Sequence, residues 1–513
     1  MPGALVAAPE APASDVPAPD APTSDDPTSD ASAPDAPPAL APAAVAVAAV
    51  AVAEKPLAAP ARTTRQRDWY PYLLALALFA AYTAISVLRF RRMETLSWDL
   101  GIFEQAVRAY AHLQAPVADL KGPGALVLGD HFSPVTALLA PAYRLFPSPV
   151  TLLVAQAALF ALSAIPVTRA ATRLLGRAPG LAIGVGYGLS WGVQRAVDFD
   201  FHEIAFAVPL IAFSLEAILR QRWRTALFCA LPLVLVKEDL GVTVAALAVI
   251  VALRARRVSP RTVPYAIGAA AFGVAATLLT LTVLIPAFNT TGAYDYWTKV
   301  GGDSTLTAAV DVKLFTLAWL LIPTTGLLAL RSPLLLAAAP TLGWRFLSAD
   351  DHYWSTEWHY SAVLMPVLAL ALVDAVDISR RSPRMWLRAY AIRLPACVAT
   401  AAVALTTTLP LSALTESATY RKSAQVRQAE ALLDGIPDDA TVEANIGPIS
   451  RLTSRCRVFW ITGAEGETPD FIALDNRDGQ YRNPVGYAKH LHPDARYSVA
   501  GTGGGYIVLK RRV

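Results

Sequence analysis

The chain has 513 residues, 54% of them hydrophobic and only 16% charged, with a mean hydropathy of +0.41; soluble domains carry roughly a quarter charged residues. Its net charge of +4 is small for this length and no Lys/Arg block is interleaved with aromatics, which argues against a nucleic-acid partner. Cys229, Cys397 and Cys456 are far apart and form no CxxC or Cys/His spacing, so neither a disulfide framework nor a zinc site is indicated.

In chain order, residues 1–65 come first, a stretch of Ala, Pro, Asp, Ser and Thr with few large apolar side chains. Such a segment cannot bury enough surface to offset its ordering entropy and is expected to be a disordered cytoplasmic tail. The run "AVAVAAVAVA" at 44–53 lacks a basic segment in front and is not read as a signal peptide. From Tyr72 to Leu411 apolar runs recur, many near the 20 or so residues that a helix needs to cross hydrocarbon. In lipid only helices satisfy their own backbone, so residues 66–414 are expected to be a mainly α, multi-pass bundle of about eleven spans with a long first outer loop at 89–149.

Charge sorts the connections between spans. Arg169, Arg173 and Arg177, then Arg220, Arg222 and Arg224, then Arg254, Arg256, Arg257 and Arg261, then Arg331, then Arg380, Arg381, Arg384, Arg388 and Arg393 mark one side as cytoplasmic. The alternate connections are acidic and fall outside. "RFRR" at 89–92 breaks the pattern, and snorkelling side chains would accommodate it. Two spans, 225–236 and 240–253, are short and separated by "KEDLG", which suggests a re-entrant pair or helices broken at depth, tolerated only where they line a cavity.

Beyond residue 414 the composition changes. The stretch "ESATYRKSAQVRQAEALLDGI" reads as helix and "ATVEAN", "CRVFWI", "PDFIALD" and "GYIVLK" as strands, so residues 415–513 are expected to be a small extracytoplasmic α/β domain. "GTGGGY" at 501–506 precedes a strand, not a helix, and fits a hairpin turn better than a nucleotide loop.

Five polar segments share the outer side: "SWDLGIFEQ", "GDHFSP", "DFDFHE", "KED" and "DDHYWSTEWHY". Their convergence predicts a polar chamber at one end of the bundle. Asp99 suits a general base, although Ser97 or Asp99 could simply cap the helix that follows. Asp130 and His131 could bind substrate or cap a helix. Asp198 and Asp200, two apart and beside His202 and Glu203, suit a metal or sugar hydroxyls, or an ordinary solvated loop. Lys237 could contact phosphate or pair internally with Glu238 and Asp239. Glu357, Trp358 and His359 lie among aromatics that could stack on sugars or form an interfacial belt. Histidines beside carboxylates could bind a divalent cation, but no HExxH spacing is present, and no metal is assigned.

In order, "WDLGIFEQAV", "GDHFSP", "DFHE", "KED" and "EWHY" resemble a family of prokaryotic polytopic membrane proteins, domain of unknown function 2079, grouped with the glycosyltransferase C superfamily. The resemblance implies a bacterial plasma-membrane protein that transfers a sugar from a polyprenyl-phosphate donor in the membrane lipid to an extracytoplasmic glycan or protein acceptor. It makes Asp99 the candidate base, with Glu104 a turn further along the helix as a second catalytic acid. It gives Asp198, Asp200 and His202 the donor or an ion to orient, and Lys237 or Arg195 the phosphate to hold. Many superfamily members carry paired acids in the first loop, whereas here the pair stands at Asp198 and Asp200, which leaves the base open. Two other readings stand beside it: an ion-coupled transporter, disfavoured because the charges cluster at one end and no inverted repeat is visible, and a non-catalytic assembly or sensor protein.

Overall fold

The structure, a computed structural model, describes residues 68–299 and 309–512. The tail expected over 1–65 lies outside the described residues. Helix α1 spans Tyr70–Arg91 and is followed by a short amphipathic helix, α2 (Leu100–Ala111), and by α3 (Ala140–Leu145). Then come α4 (Pro149–Leu175), α5 (Arg177–Gly188), α6 (Trp191–Phe199), α7 (Ala207–Leu219), α8 (Trp223–Ala230), α9 (Leu240–Ala255), α10 (Val263–Leu279) and α11 (Ile285–Phe288). The bundle closes with α12 (Val310–Thr325), α13 (Ala339–Leu347), α14 (Leu364–Ser379) and α15 (Met385–Thr406).

Five stretches among the described residues are long and apolar enough to cross a membrane: Tyr70–Arg91, Pro149–Leu175, Pro260–Phe288, His359–Ser379 and Met385–Thr406. Composition divides the apolar sequence into about eleven spans in all; beyond these five, its described residues fold into shorter helices. The α8–α9 hairpin shows why. Helix α8 loosens into a 3-10 turn at Leu231–Leu235, the chain reverses through Lys237, Glu238 and Asp239, and α9 returns. Sixteen residues of α9 rise only about 24 Å at 1.5 Å each, several ångströms less than a hydrocarbon core of about 30 Å. The hairpin's polar tip reaches a cavity, which Lys237, Glu238 and Asp239 line, as such backbone among apolar helices requires. Gly241 of α9 and Gly273 of α10 back onto each other with no room for a Cβ on either, which brings the two helices into close contact.

The C-terminal layer begins with α16 (Ala424–Asp434), capped by Ser423 Oγ on Val426 N. Its sheet holds β1 (Thr441–Ala444), β2 (Arg457–Trp460), β3 (Phe471–Asp475), β4 (Arg496–Gly503) and β5 (Tyr506–Arg512), with α17 (Ile446–Leu452) after β1 and α18 (Pro484–Leu491) after β3. The strand order is β2-β1-β3-β5-β4, with β1 parallel to β2 and β3, and β5 antiparallel to β3 and β4. Strand β4, "RYSVAGTG", alternates too weakly to stand out in the sequence. The glycine run closes the β4–β5 hairpin, with Gly504 and Gly505 both at positive φ, as a tight turn between twisted strands requires. Spanning helices and sheet belong to one compact unit.

Candidate functional site

A cavity of about 420 Å³ opens in the bundle, within the usual range for small-ligand sites. It is lined by Trp98, Asp99, His131, Phe199, His202, Lys237, Glu238 and Asp239, and by aromatic residues from the 294–299 and 344–360 stretches. Segments more than 250 residues apart in sequence meet here because the loops after α1, α6 and α8 and those around α13 all end on the same side.

The N-terminus of α2 explains why Asp99 faces this space. Asp99 occupies the N-cap position without making a side-chain cap bond. The capping is done by others: Ser97 Oγ accepts from Gly101 N at 2.8 Å, and Asp200 Oδ2 accepts from Asp99 N at 3.0 Å and Leu100 N at 3.1 Å. The Asp99 carboxylate, 27% exposed, is left 3.9 Å from His202 Nε2. Burial raises its pKa, His202 pulls it back and Glu203 adds to the rise. It is a carboxylate made more basic than usual.

Asp198 and Asp200 take different roles. Asp198 Oδ1 lies 2.9 Å from Arg89 Nη1 and Arg92 pairs with Glu94, so the arginines of "RFRR" are largely neutralised locally. Asp200, buried, caps α2. Glu203 stands behind the cavity wall, 2.7 Å from His202 Nδ1 and 3.1 Å from Lys237 Nζ. Lys237 thus pairs across the bundle instead of with its neighbours, and Glu238 reaches His131 Nδ1 at 2.9 Å. His131 is raised: burial and Lys237 work against it, and Glu238 with Asp130 outweigh them. Asp130 does not line the cavity; it meets Lys121 at 3.0 Å and is lowered, because His131 and Lys121 outweigh its burial. Glu357 is exposed and Trp358 lines the wall. His359 stacks on His202 with ring centroids 3.9 Å apart, and neither of its buried ring nitrogens has a hydrogen-bond partner among the described residues.

Glu104 does not reach the chamber. It is 0% exposed, accepting from Tyr143 Oη at 2.8 Å and from the Thr453 hydroxyl of the C-terminal layer. Arg195 is not among the lining residues either.

Sequence reading passed over several lining residues: Tyr294, Tyr296, Lys299, Trp344 and Ser348. The aromatic-rich "YDYW" at 294–297 between two apolar runs was the available signal. Arg345 was also missed. It is fully buried and donates to Tyr353 O at 2.7 Å, Ser355 O at 3.0 Å and Ser361 Oγ at 3.2 Å, holding the loop that carries Trp358 and His359. Nothing in the apolar context around it distinguishes it from a cytoplasmic arginine.

A family profile described as "Predicted membrane protein (DUF2079)" matches residues 89–508. No curated protein matches. Among solved structures, ArnT from Cupriavidus metallidurans bound to undecaprenyl phosphate superposes with a TM-score of 0.53 at 13% identity, covering 86% of this chain and 98% of that one. The same protein in the apo state gives 0.52 at 11% identity, over 86% and 97%. At these identities the likeness is one of fold.

Proposed function

The chain belongs to the DUF2079 family of predicted membrane proteins and carries a glycosyltransferase C-like fold, and on that premise we propose that it transfers a sugar from a polyprenyl-phosphate donor to an acceptor hydroxyl at the outer face of a bacterial plasma membrane. The observation that carries the reading is Asp99: a partly exposed carboxylate of raised basicity, relieved of capping duty by Ser97 and Asp200, in an aromatic-walled cavity that also presents Lys237 and Lys299. In ArnT the same fold is seen with undecaprenyl phosphate.

The reaction is a single inverting displacement. Asp99 takes the proton of the acceptor hydroxyl as its oxygen bonds to the anomeric carbon, and the bond from that carbon to the donor phosphate oxygen breaks. Polyprenyl phosphate leaves with the electron pair, and Lys237 is placed to meet its charge. The aromatic walls, Trp98 and Trp358 among them, hold sugar faces.

A divalent cation fits the same wall. Asp99, His202 and His359 offer ligand atoms all within 4.8 Å of one another, and the two unpartnered His359 nitrogens are what a buried ligand site leaves open. Bound there, the ion would add positive charge beside the departing phosphate.

The test is the full chain in proteoliposomes with a panel of undecaprenyl-phosphate hexoses and pentoses, reading released undecaprenyl phosphate by mass. Turnover by the wild-type protein that is lost in Asp99→Asn supports the proposal. Turnover that survives Asp99→Asn, or ion-driven solute uptake with no donor cleavage, refutes it.

A further inference from the structure

The helix that presents Asp99 is gripped by the C-terminal layer. Glu104 accepts from Tyr143 and Thr453. Gln105 Nε2 donates to Val458 O at 2.8 Å while its Oε1 accepts from Leu120 N at 3.1 Å, and Arg108 Nη1 donates to Thr453 O at 3.3 Å and Cys456 O at 3.1 Å. At Gly101 the α17 side chain of Ile449 comes so near that an added Cβ would stand 2.6 Å from its Cγ2. The contact continues to the catalytic end, where Trp460 at the close of β2 lies over Trp98, ring centroids 6.1 Å apart and 29° from parallel.

A helix of twelve residues is marginal alone in water; its position comes from what it packs on. On one side α2 meets the bundle and on the other the sheet layer, and Glu104 is the point at which α2, α3 and the sheet layer share one buried carboxylate. Without it the buried Tyr143 hydroxyl would lose its carboxylate partner and Thr453 would fall back on its 3.3 Å bond to Ile449 O.

We infer that Glu104 is a positioning residue, through which the C-terminal α/β layer fixes α2 and so holds Asp99 at the chamber. The layer is then part of the active-site scaffold and not a separate binding module. This rests on the proposed role of Asp99, but its structural half can be read without any substrate. Displacing a reacting group by an ångström costs on the order of a hundredfold in rate, so loosening α2 is expected to lower kcat and leave the donor KM alone.

The experiment compares the full chain with Glu104→Ala and Glu104→Gln in nanodiscs. Hydrogen exchange of the amides in residues 99–107 is expected to rise about tenfold or more in Glu104→Ala while α4 stays at the wild-type level. With the panel member the wild type uses, kcat is expected to drop about tenfold or more at unchanged donor KM. Glu104→Gln, which still bonds both hydroxyls, is expected to restore most of both. Wild-type exchange over 99–107 in Glu104→Ala, or a change in KM alone, would overturn the inference. If Glu104→Ala does not fold, Thr453→Val gives the same readouts with a smaller perturbation. A wild-type chain that cleaves no donor while Glu104→Ala still loosens α2 would refute the transferase reading and leave the clamp standing.

Discussion

The chamber and the junction beneath the sheet are both crowded with buried polar groups, but they satisfy them differently. At the junction the pairing is closed: Glu104 with two hydroxyls, Gln105 at both ends, Arg108 on two carbonyls, Arg457 on Asp119 at 2.9 and 3.0 Å. In the chamber, Glu238 Oε2, Asp239 Oδ1 and both nitrogens of His359 are buried without partners among the described residues. A buried polar atom left open costs about 1–3 kcal/mol, and a fold tolerates several in one place where a ligand completes them. The contrast separates two acids that look alike in sequence. Asp99 belongs to the open set, Glu104 to the closed one.

The largest test of this contrast is Asp99→Asn, expected to reduce donor turnover by about a hundredfold or more with unchanged elution on size exclusion; near-wild-type turnover would erase the distinction. Next is His359→Gln. If the open nitrogens await a cation, added Mn²⁺ or Zn²⁺ should raise the melting temperature of the wild-type chain by several degrees and leave this variant unmoved; equal shifts in both would move the site elsewhere. Arg345→Lys breaks the fork that holds the 353–361 loop and is expected to cost about 2–3 kcal/mol, measured by thermal unfolding.

The junction makes a pH prediction. Burial pushes Glu104 up to about 7 from an ordinary 4.5, against its hydrogen bonds from Thr453 and Tyr143 and the charge of Arg108. A carboxyl whose folded pKa is raised binds its proton more tightly when folded, so its contribution is complete below about 4.5 and declines as pH climbs to about 7. Glu104→Gln should flatten that part of the melting curve against pH. The smallest effect belongs to Arg457→Lys, a half-exposed pair, at under about 1 kcal/mol.

Much of this was legible in advance. The arginine-bearing connections and the acid-bearing ones alternate strongly enough to predict that Asp99, His131, His202 and Lys237 meet, and they line one cavity. What was not legible depends on partners far along the chain. Asp198 and Asp200 look like a pair until Arg89 takes one and the start of α2 takes the other, each about a hundred positions away. Glu104 could not be told from a catalytic acid without Thr453, 349 positions later. The short runs 225–236 and 240–253, by contrast, stood out in the sequence as an irregular pair around "KEDLG", and in the fold they form a hairpin that turns through Lys237, Glu238 and Asp239.

That turn has a chemical side. Around Lys237 the charged side chains are largely buried, Lys237 at 13% and Glu238 at 2% exposure, so the electric field of each is little screened. On the proposed function, a glycosyl centre activated beside such buried charges would be shielded from stray water by the walls themselves, with no moving cover required.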